Sequence, residues 1–275
     1  KPGTLFRKRY VVLGAHYDTI ALDMAPDSQF VAPGADDNGT GIAGLLEVAR
    51  VLQGVDLDAT VVFALFGAEE LGLVGSRDYV TRARARGDDI LLMLGLDSIG
   101  TRSSIFPNAF TVDTIGPYLN LGEIVAQAAA DYTAVRARNG SGGRVLITPH
   151  GSGWSDHQSF IEKGYPGVGV LLYWQNPSLH LNTSVDTLGA VDFALAEGIT
   201  KAVLPAVLQL AGFPARSPDF DGDGRVAMAD FLLFVTRFGK TDVSGGEARY
   251  DLDRDGRVGF SDFLLFAENF GRRLN

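Results

Sequence analysis

"ATVVFALFGAEELGLVGS", residues 59–76, opens on a nearly continuous apolar run that ends at two adjacent acids, Glu69 and Glu70. A run of that length, rich in β-branched and aromatic side chains, suits a strand covered on both faces, the situation of strands in parallel sheets. The surrounding sequence repeats the pattern. YVVLGAH (10–16) reads as a second buried strand, and GTGIAGLLEVARVL (39–52) as a helix with apolar residues at helical spacing. After the glutamates come a helix near 75–86, strand ILLMLGLD (90–97), a helix near 117–131 and strand RVLIT (144–148). A helix near 155–163, strand GVGVLLYW (167–174) and a long helix over 189–211 complete the series. Strands alternating with amphipathic helices predict an α/β domain, a mostly parallel twisted sheet with helices on both faces. Such sheets bind ligands at the carboxyl ends of their strands, where the two glutamates stand.

The 275 residues carry a formal net charge of −9 and no cysteine. The charge argues against nucleic acid as a partner, and the missing cysteines exclude disulfides and thiol chemistry. No apolar stretch reaches the roughly 20 residues of a transmembrane helix. The longest, around Ala202–Leu210, contains Pro205 and is expected to pack on the core. The chain opens at Lys1, without Met, almost directly into a strand, which predicts a processed or truncated chain whose targeting segment has been removed. GFPARSP (212–218) reads as a linker between a domain over 1–211 and a tail over 219–275. Residues 212–275 hold nine basic and eleven acidic residues, so most of the negative charge belongs to the larger part.

Polar residues gather where the apolar strands end. His16 and Asp18 follow YVVLGA, Glu69 and Glu70 follow VVFALFGA, and Asp97 ends ILLMLGLD. Asp36 and Asp37 precede the first helix, and His180 follows the last strand. Taken alone, Asp36 is a cap or turn former, and His16, His150 or His157 a core histidine; the Arg82, Arg84 and Arg86 run is a solvated helix face. Five strand-end sites in a chain with four histidines form instead a metal-site pattern, and nitrogen plus carboxylate donors suit zinc.

These motifs, "GAHYDT", "VAPGADDNGTGIAGLLEVAR", "GAEELGLVGS", "LDS" and "SDHQSF…GYPGVGV…H…DTL", resemble in order and spacing the co-catalytic di-zinc aminopeptidases. That family includes secreted bacterial leucyl aminopeptidases, with glutamate carboxypeptidases and glutaminyl cyclases as relatives; the resemblance covers roughly residues 8–211. It implies that His16 and Asp97 bind one zinc, that Glu70 and His180 bind another, and that Asp37 bridges them. It also implies that Asp18 orients His16 from behind and that Glu69 is the general base. Strand alternation would separate the two glutamates, one toward metal and one toward the attacking water. The implied activity is removal of the amino-terminal residue from peptides with a free N-terminus. Two features depart from the family. Ser152 and Leu179 stand where a tyrosine hydroxyl often serves the oxyanion, leaving that donor unassigned. Only about nine residues precede the first strand, so an amino-terminal part of the domain is expected to be missing.

In the tail, DFDGDGRVAMADFLLFVTRFG (219–239) recurs as DLDRDGRVGFSDFLLFAENFG (251–271). Asp219, Asp221, Asp223 and Asp230 fall at positions 1, 3, 5 and 12 of a calcium loop, with Gly224 at the turn and Arg225 offering its carbonyl. Asp251, Asp253, Asp255 and Asp262, with Gly256 and Arg257, repeat the arrangement. Aspartate at position 12 and the absence of a clear entering helix resemble dockerin modules more than sensor EF-hands. That implies two calcium ions, a cohesin-like or cell-surface partner, and a secreted or cell-surface location. DFLLF is expected to form an exit helix that packs on its twin. For the larger domain a glutaminyl cyclase and a non-catalytic binding relative are the competing readings; intact Glu69 and all five ligands argue against the second.

Overall fold

In a computed structural model, which describes residues 1–4, 6–25, 31–139, 141–150, 153–173, 180–212, 218–241, 243, 245–252 and 256–273, the alternating pattern becomes one twisted sheet. Ser152, Leu179, Asp253, Asp255 and most of the GFPARSP segment lie outside the described residues. In chain order the elements are β1 (Phe6–His16), α1 (Gly39–Val51), β2 (Ala59–Phe66), α2 (Val74–Arg86), β3 (Asp89–Asp97) and β4 (Ala109–Thr114). Then follow α3 (Leu119–Tyr132), β5 (Arg136–Ala137), β6 (Val145–Ile147), α4 (His157–Glu162), β7 (Gly167–Leu172) and α5 (Phe193–Ala211). The strands run in the order β2-β1-β3-β7-β4-β5, with β6 also paired to β4. All these pairings are parallel except β4 with β7.

Alternation along the strands builds two apolar layers. Val11, Leu13, Leu92, Leu94, Val168 and Val170 face α1, α3 and α5 through Leu45, Val48, Val125, Ile199 and Val203. The opposite parity, Val12 and Met93 with Phe66, meets Val80 of α2 and Phe160 of α4. Each fully buried Val, Leu or Phe contributes about 1.5–3 kcal/mol, so the sheet is held rigidly beneath its carboxyl edge. α5 is long and apolar enough to cross a membrane, but Leu195, Ile199, Ala202, Val203, Ala206 and Val207 are buried in the core.

Several boundaries differ from the sequence reading. β4 (AFTVDT) was not anticipated, because its Asp and two Thr break the apolar signal; all six residues are nevertheless buried. Two of their polar side chains find partners inside the fold: His157 Nε2 lies 2.9 Å from Asp113 Oδ2, and Thr114 Oγ1 donates to the Gly167 carbonyl at 2.7 Å. RVLIT contributes only the short β6, and the last helix starts at Phe193, after a 3-10 turn over Leu188–Ala190. The start of α1 is set by Asn38, whose side chain accepts from Gly41 N at 3.1 Å; Asp36 is not the cap.

The chain divides into two compact units, Lys1–Ala211 and Gly212–Asn275. In the second, α6 (Met228–Val235) and α7 (Phe260–Asn269) follow the two loops. Their apolar faces meet as expected, with Phe234 and Phe266 stacked at 5.7 Å inside a cluster that includes Phe220, Tyr250 and Val258.

Candidate metal centre

Register places the first two donors. Gly14 of β1 pairs with Gly95 of β3; two residues further along each strand, on the same face, come His16 and Asp97. His16 is 1% exposed. Its Nε2 lies 3.4 Å from Asp97 Oδ1 and 3.2 Å from Asp37 Oδ1. Its Nδ1 faces the Asp18 carbonyl oxygen at 3.1 Å, an acceptor that fixes a proton on Nδ1. The expected carboxylate of Asp18 is farther, 3.8 Å from Nδ1. That carboxylate instead accepts from Glu69 N at 3.0 Å and Glu70 N at 3.1 Å. Asp18 therefore orients the histidine through its main chain and anchors the glutamate turn through its side chain.

Glu69 and Glu70 lie in the turn beyond β2, not on the strand, so strand alternation does not set their directions. Ala68, in the left-handed region at φ 58°, and the two bonds to Asp18 do. One ligand atom each from His16, Glu69 and Asp97 falls within 4.8 Å of the others. Glu70 points toward the neighbouring turn, where the Asn182 amide meets its carboxylate. His180 is exposed and, among the described residues, does not join the 4.8 Å group.

The loop before α1 is built by residues that the sequence reading passed over. Asp186, 1% exposed, accepts from Asp36 N and Asp37 N, each at 2.9 Å. Asp36 turns away from the centre: its carboxylate takes Thr40 Oγ1 at 2.8 Å, Gly100 N at 2.7 Å and the Thr101 hydroxyl. Asn38 donates to the Leu96 carbonyl at 2.9 Å and accepts from Ser98 N at 3.2 Å, tying this loop to the end of β3. The Asp37–Asn38 peptide is cis. The only advance sign of Asp186 was its place in "DTL" after His180, since backbone amides, its partners, leave no mark in a sequence.

The electrostatics of this corner favour a cation. Burial opposes an imidazolium at His16, but hydrogen bonds to Asp37 and Asp97 and the Asp97 charge overturn it, and its pKa is pushed up to about 12. Burial would raise Asp97 too, yet the bonds and charge of His16 hold its pKa below the usual value. Burial and the Asp97 charge push Glu69 up to about 9; burial and the Asp37 charge push Glu70 up to about 8. Burial likewise raises Asp37 and Asp156 to about 6. Without a metal, one proton on His16 Nε2 answers several carboxylates that repel one another. One imidazole nitrogen facing several oxygens is also a donor set that fits zinc. Beside it opens a cavity of about 380 Å³, whose walls include Asp37, Asp97, Trp154, Leu171 and Leu181. A larger cleft of about 960 Å³ between α1 and α5 contains none of the clustered acids.

Residues 2–207 match the model of peptidase family M28. The chain belongs to that family. Residues 217–270 match the dockerin type I domain. The chain is 32% identical over 208 residues to Leucine aminopeptidase 1 of Ajellomyces capsulatus, an alignment covering 73% of this chain and 52% of that protein. It thus spans about half the length of the curated relatives it matches. BSAP, a zinc aminopeptidase from Bacillus subtilis, superposes with TM-score 0.58 at 26% identity, over 76% of this chain and 48% of that one. Porphyromonas gingivalis glutaminyl cyclase superposes with TM-score 0.57 at 23% identity over 73% of each chain, a likeness of fold.

The tail's first loop gathers the Asp219, Asp221 and Asp223 carboxylates within 4.8 Å. Backbone donors fold it: Gly224 N reaches Asp219 Oδ2 at 2.8 Å, and Gly256 N reaches Asp251 Oδ2 at 3.1 Å in the second loop. Asp230 and Asp262 are fully buried and, among the described residues, stand outside the 4.8 Å carboxylate group. Asp230 accepts from Phe220 N at 2.6 Å and Ala227 N at 2.8 Å; Asp262 accepts from Leu252 N at 2.5 Å and Gly259 N at 2.6 Å. Each brackets its loop and caps the following helix.

Proposed function

We propose that the larger unit is a zinc aminopeptidase that removes the amino-terminal residue of peptides. The observation that carries this reading is the buried His16 facing Asp37 and Asp97, with Glu69 within ligand distance of the same point. His16 and Asp97 would hold one zinc, Glu70 and His180 a second, and Asp37 both. The placement of Glu70 and His180 is supported by Asn182, two residues after His180, which faces Glu70. Zinc, when bound, lowers the pKa of a coordinated water and polarises a carbonyl. Glu69 takes the proton of the attacking water on its carboxylate and delivers it to the leaving amine. The Asp18 carboxylate, bound to the amides of both glutamates, keeps that carboxylate in place. Trp154, Leu171 and Leu181 give the adjoining cavity an apolar wall for the residue being released.

In the tail, Asp219, Asp221, Asp223, Asp230 and the Arg225 carbonyl would hold one calcium; Asp251, Asp253, Asp255, Asp262 and the Arg257 carbonyl would hold the other. Asp230 accepts three main-chain bonds, from Phe220, Asp221 and Ala227, and a carboxylate offers about four acceptor sites, which leaves it room for a cation. The dockerin match favours a cohesin-like partner and a site of action outside the cell.

The full chain, loaded with zinc, should be assayed side by side on aminoacyl anilides and on peptides beginning with glutamine. Chelator-sensitive release of the amino-terminal residue is expected. Pyroglutamate formation without anilide hydrolysis would make the chain a cyclase, and neither activity in a zinc-loaded protein would make it a binding relative.

A further inference from the structure

Asn182 has no role in the chemistry above, yet it lines the cavity beside Asp37 and Asp97. With its amide nitrogen turned to Glu70 it donates to Oε1 at 2.5 Å and to Oε2 at 3.2 Å; the other orientation would set the amide oxygen against the carboxylate. Its backbone is held from outside. Leu22 N donates to the Asn182 carbonyl at 2.7 Å. Ser184 N and Oγ donate to the two oxygens of Asp23 at 2.8 and 2.7 Å. Two loops distant in the chain are clasped so that one amide meets one carboxylate. Asn182 is also in the left-handed region, φ 55°, which asparagine tolerates better than most residues.

We infer that Asn182 is a positioning residue for Glu70: its amide engages Oε1 most closely and leaves Oε2 to a cation, so that Glu70 acts as a one-oxygen ligand. The terminal torsion of a glutamate is broad, and a fixed donor on one oxygen removes the search that metal binding would otherwise require. Partners of this kind are worth about 10–100-fold in metal affinity. The inference rests on the reading of Glu70 as a zinc ligand, and the test separates the two.

Asn182→Gly removes the amide while keeping a residue at ease at positive φ. Zinc alone is titrated into the metal-stripped full chain against a competing chelator dye, for the wild type, Asn182→Gly and Glu70→Ala. Asn182→Gly is expected to keep one zinc at wild-type affinity and to weaken the other by about 10–100-fold, while Glu70→Ala loses it. If Glu70→Ala loses a zinc but Asn182→Gly binds both as the wild type does, the role of Asn182 is overturned alone. If Glu70→Ala itself keeps both, the ligand assignment fails and this inference with it.

Discussion

Asp186→Asn replaces a buried carboxylate by a group of the same shape with one acceptor fewer. Asp186 holds the loop that carries Asp37 through two main-chain bonds of 2.9 Å. An asparagine can accept from only one of the two amides and turns its own N–H toward the other. One hydrogen bond to a charged group, about 1.5–3 kcal/mol, is lost, and a buried N–H is left without an acceptor, about 1–3 kcal/mol. These two costs partly describe the same event, so a destabilisation of roughly 2–4 kcal/mol is expected. In a unit of this size each kcal/mol shifts the midpoint by about 2–4 °C, which makes the expected drop on the order of 5–15 °C. Both tryptophans, Trp154 and Trp174, belong to the first unit, so thermal unfolding followed by tryptophan fluorescence reports on it selectively. Zinc stoichiometry should fall as well, because the position of Asp37 depends on its amide. A midpoint within about 1 °C of the wild type, with zinc content unchanged, would show that other groups hold this loop.

Glu69→Gln should keep its zinc and lose about 10²–10⁴-fold in turnover, since an amide cannot accept the water's proton; near-normal turnover in the zinc-loaded variant would remove Glu69 from the mechanism. For the zinc-free protein, the raised pKa values of Glu69 (about 9) and Glu70 (about 8) mean that the folded state keeps protons that the unfolded state releases. Its stability is therefore greatest below the ordinary glutamate range and falls as pH rises through 8–9, by up to about 1.4 kcal/mol per pH unit for each proton retained. Denaturant midpoints from pH 5 to 9 should fall without zinc, and the zinc-induced gain should grow; a flat zinc-free profile would contradict the electrostatics. In the tail, Asp219→Ala should remove one of two calcium ions seen by titration of the full chain and leave anilide hydrolysis unchanged.

The readable parts of this protein are those where one physical requirement dominates. β2 and β3 had to be apolar along their length, being covered on both faces, and so they stood out, as did the acids at their ends. β4 did not, because Asp113 and Thr114 are buried by pairing with His157 and a backbone carbonyl from elsewhere in the chain. His157 itself sits where a core histidine was expected. Strand alternation was the wrong ground for separating Glu69 from Glu70: it holds only while the chain remains a strand, and β2 ends at Phe66. Asn182 and Asp186 had no separate signal, since each acts on a group brought near only by folding.

Of the five residues proposed as zinc ligands, His16 and Asp97 stand at strand ends, and Asp37, Glu70 and His180 lie in loops. Several buried carboxylates around one imidazole repel one another, and with no cation the glutamates escape by holding protons. A flexible loop would relieve that repulsion by moving apart. Here His16 and Asp97 are rooted on adjacent parallel strands whose neighbours Leu13, Met93 and Leu94 are fully buried, so separating them would cost core packing. Asp18, Asp186 and Asn38 extend that rigidity to the loops through hydrogen bonds between their side chains and main-chain groups. Repulsion among these carboxylates in the metal-free protein therefore has little structural outlet and is relieved by protons, which ties the proposed affinity for a cation to the whole sheet edge.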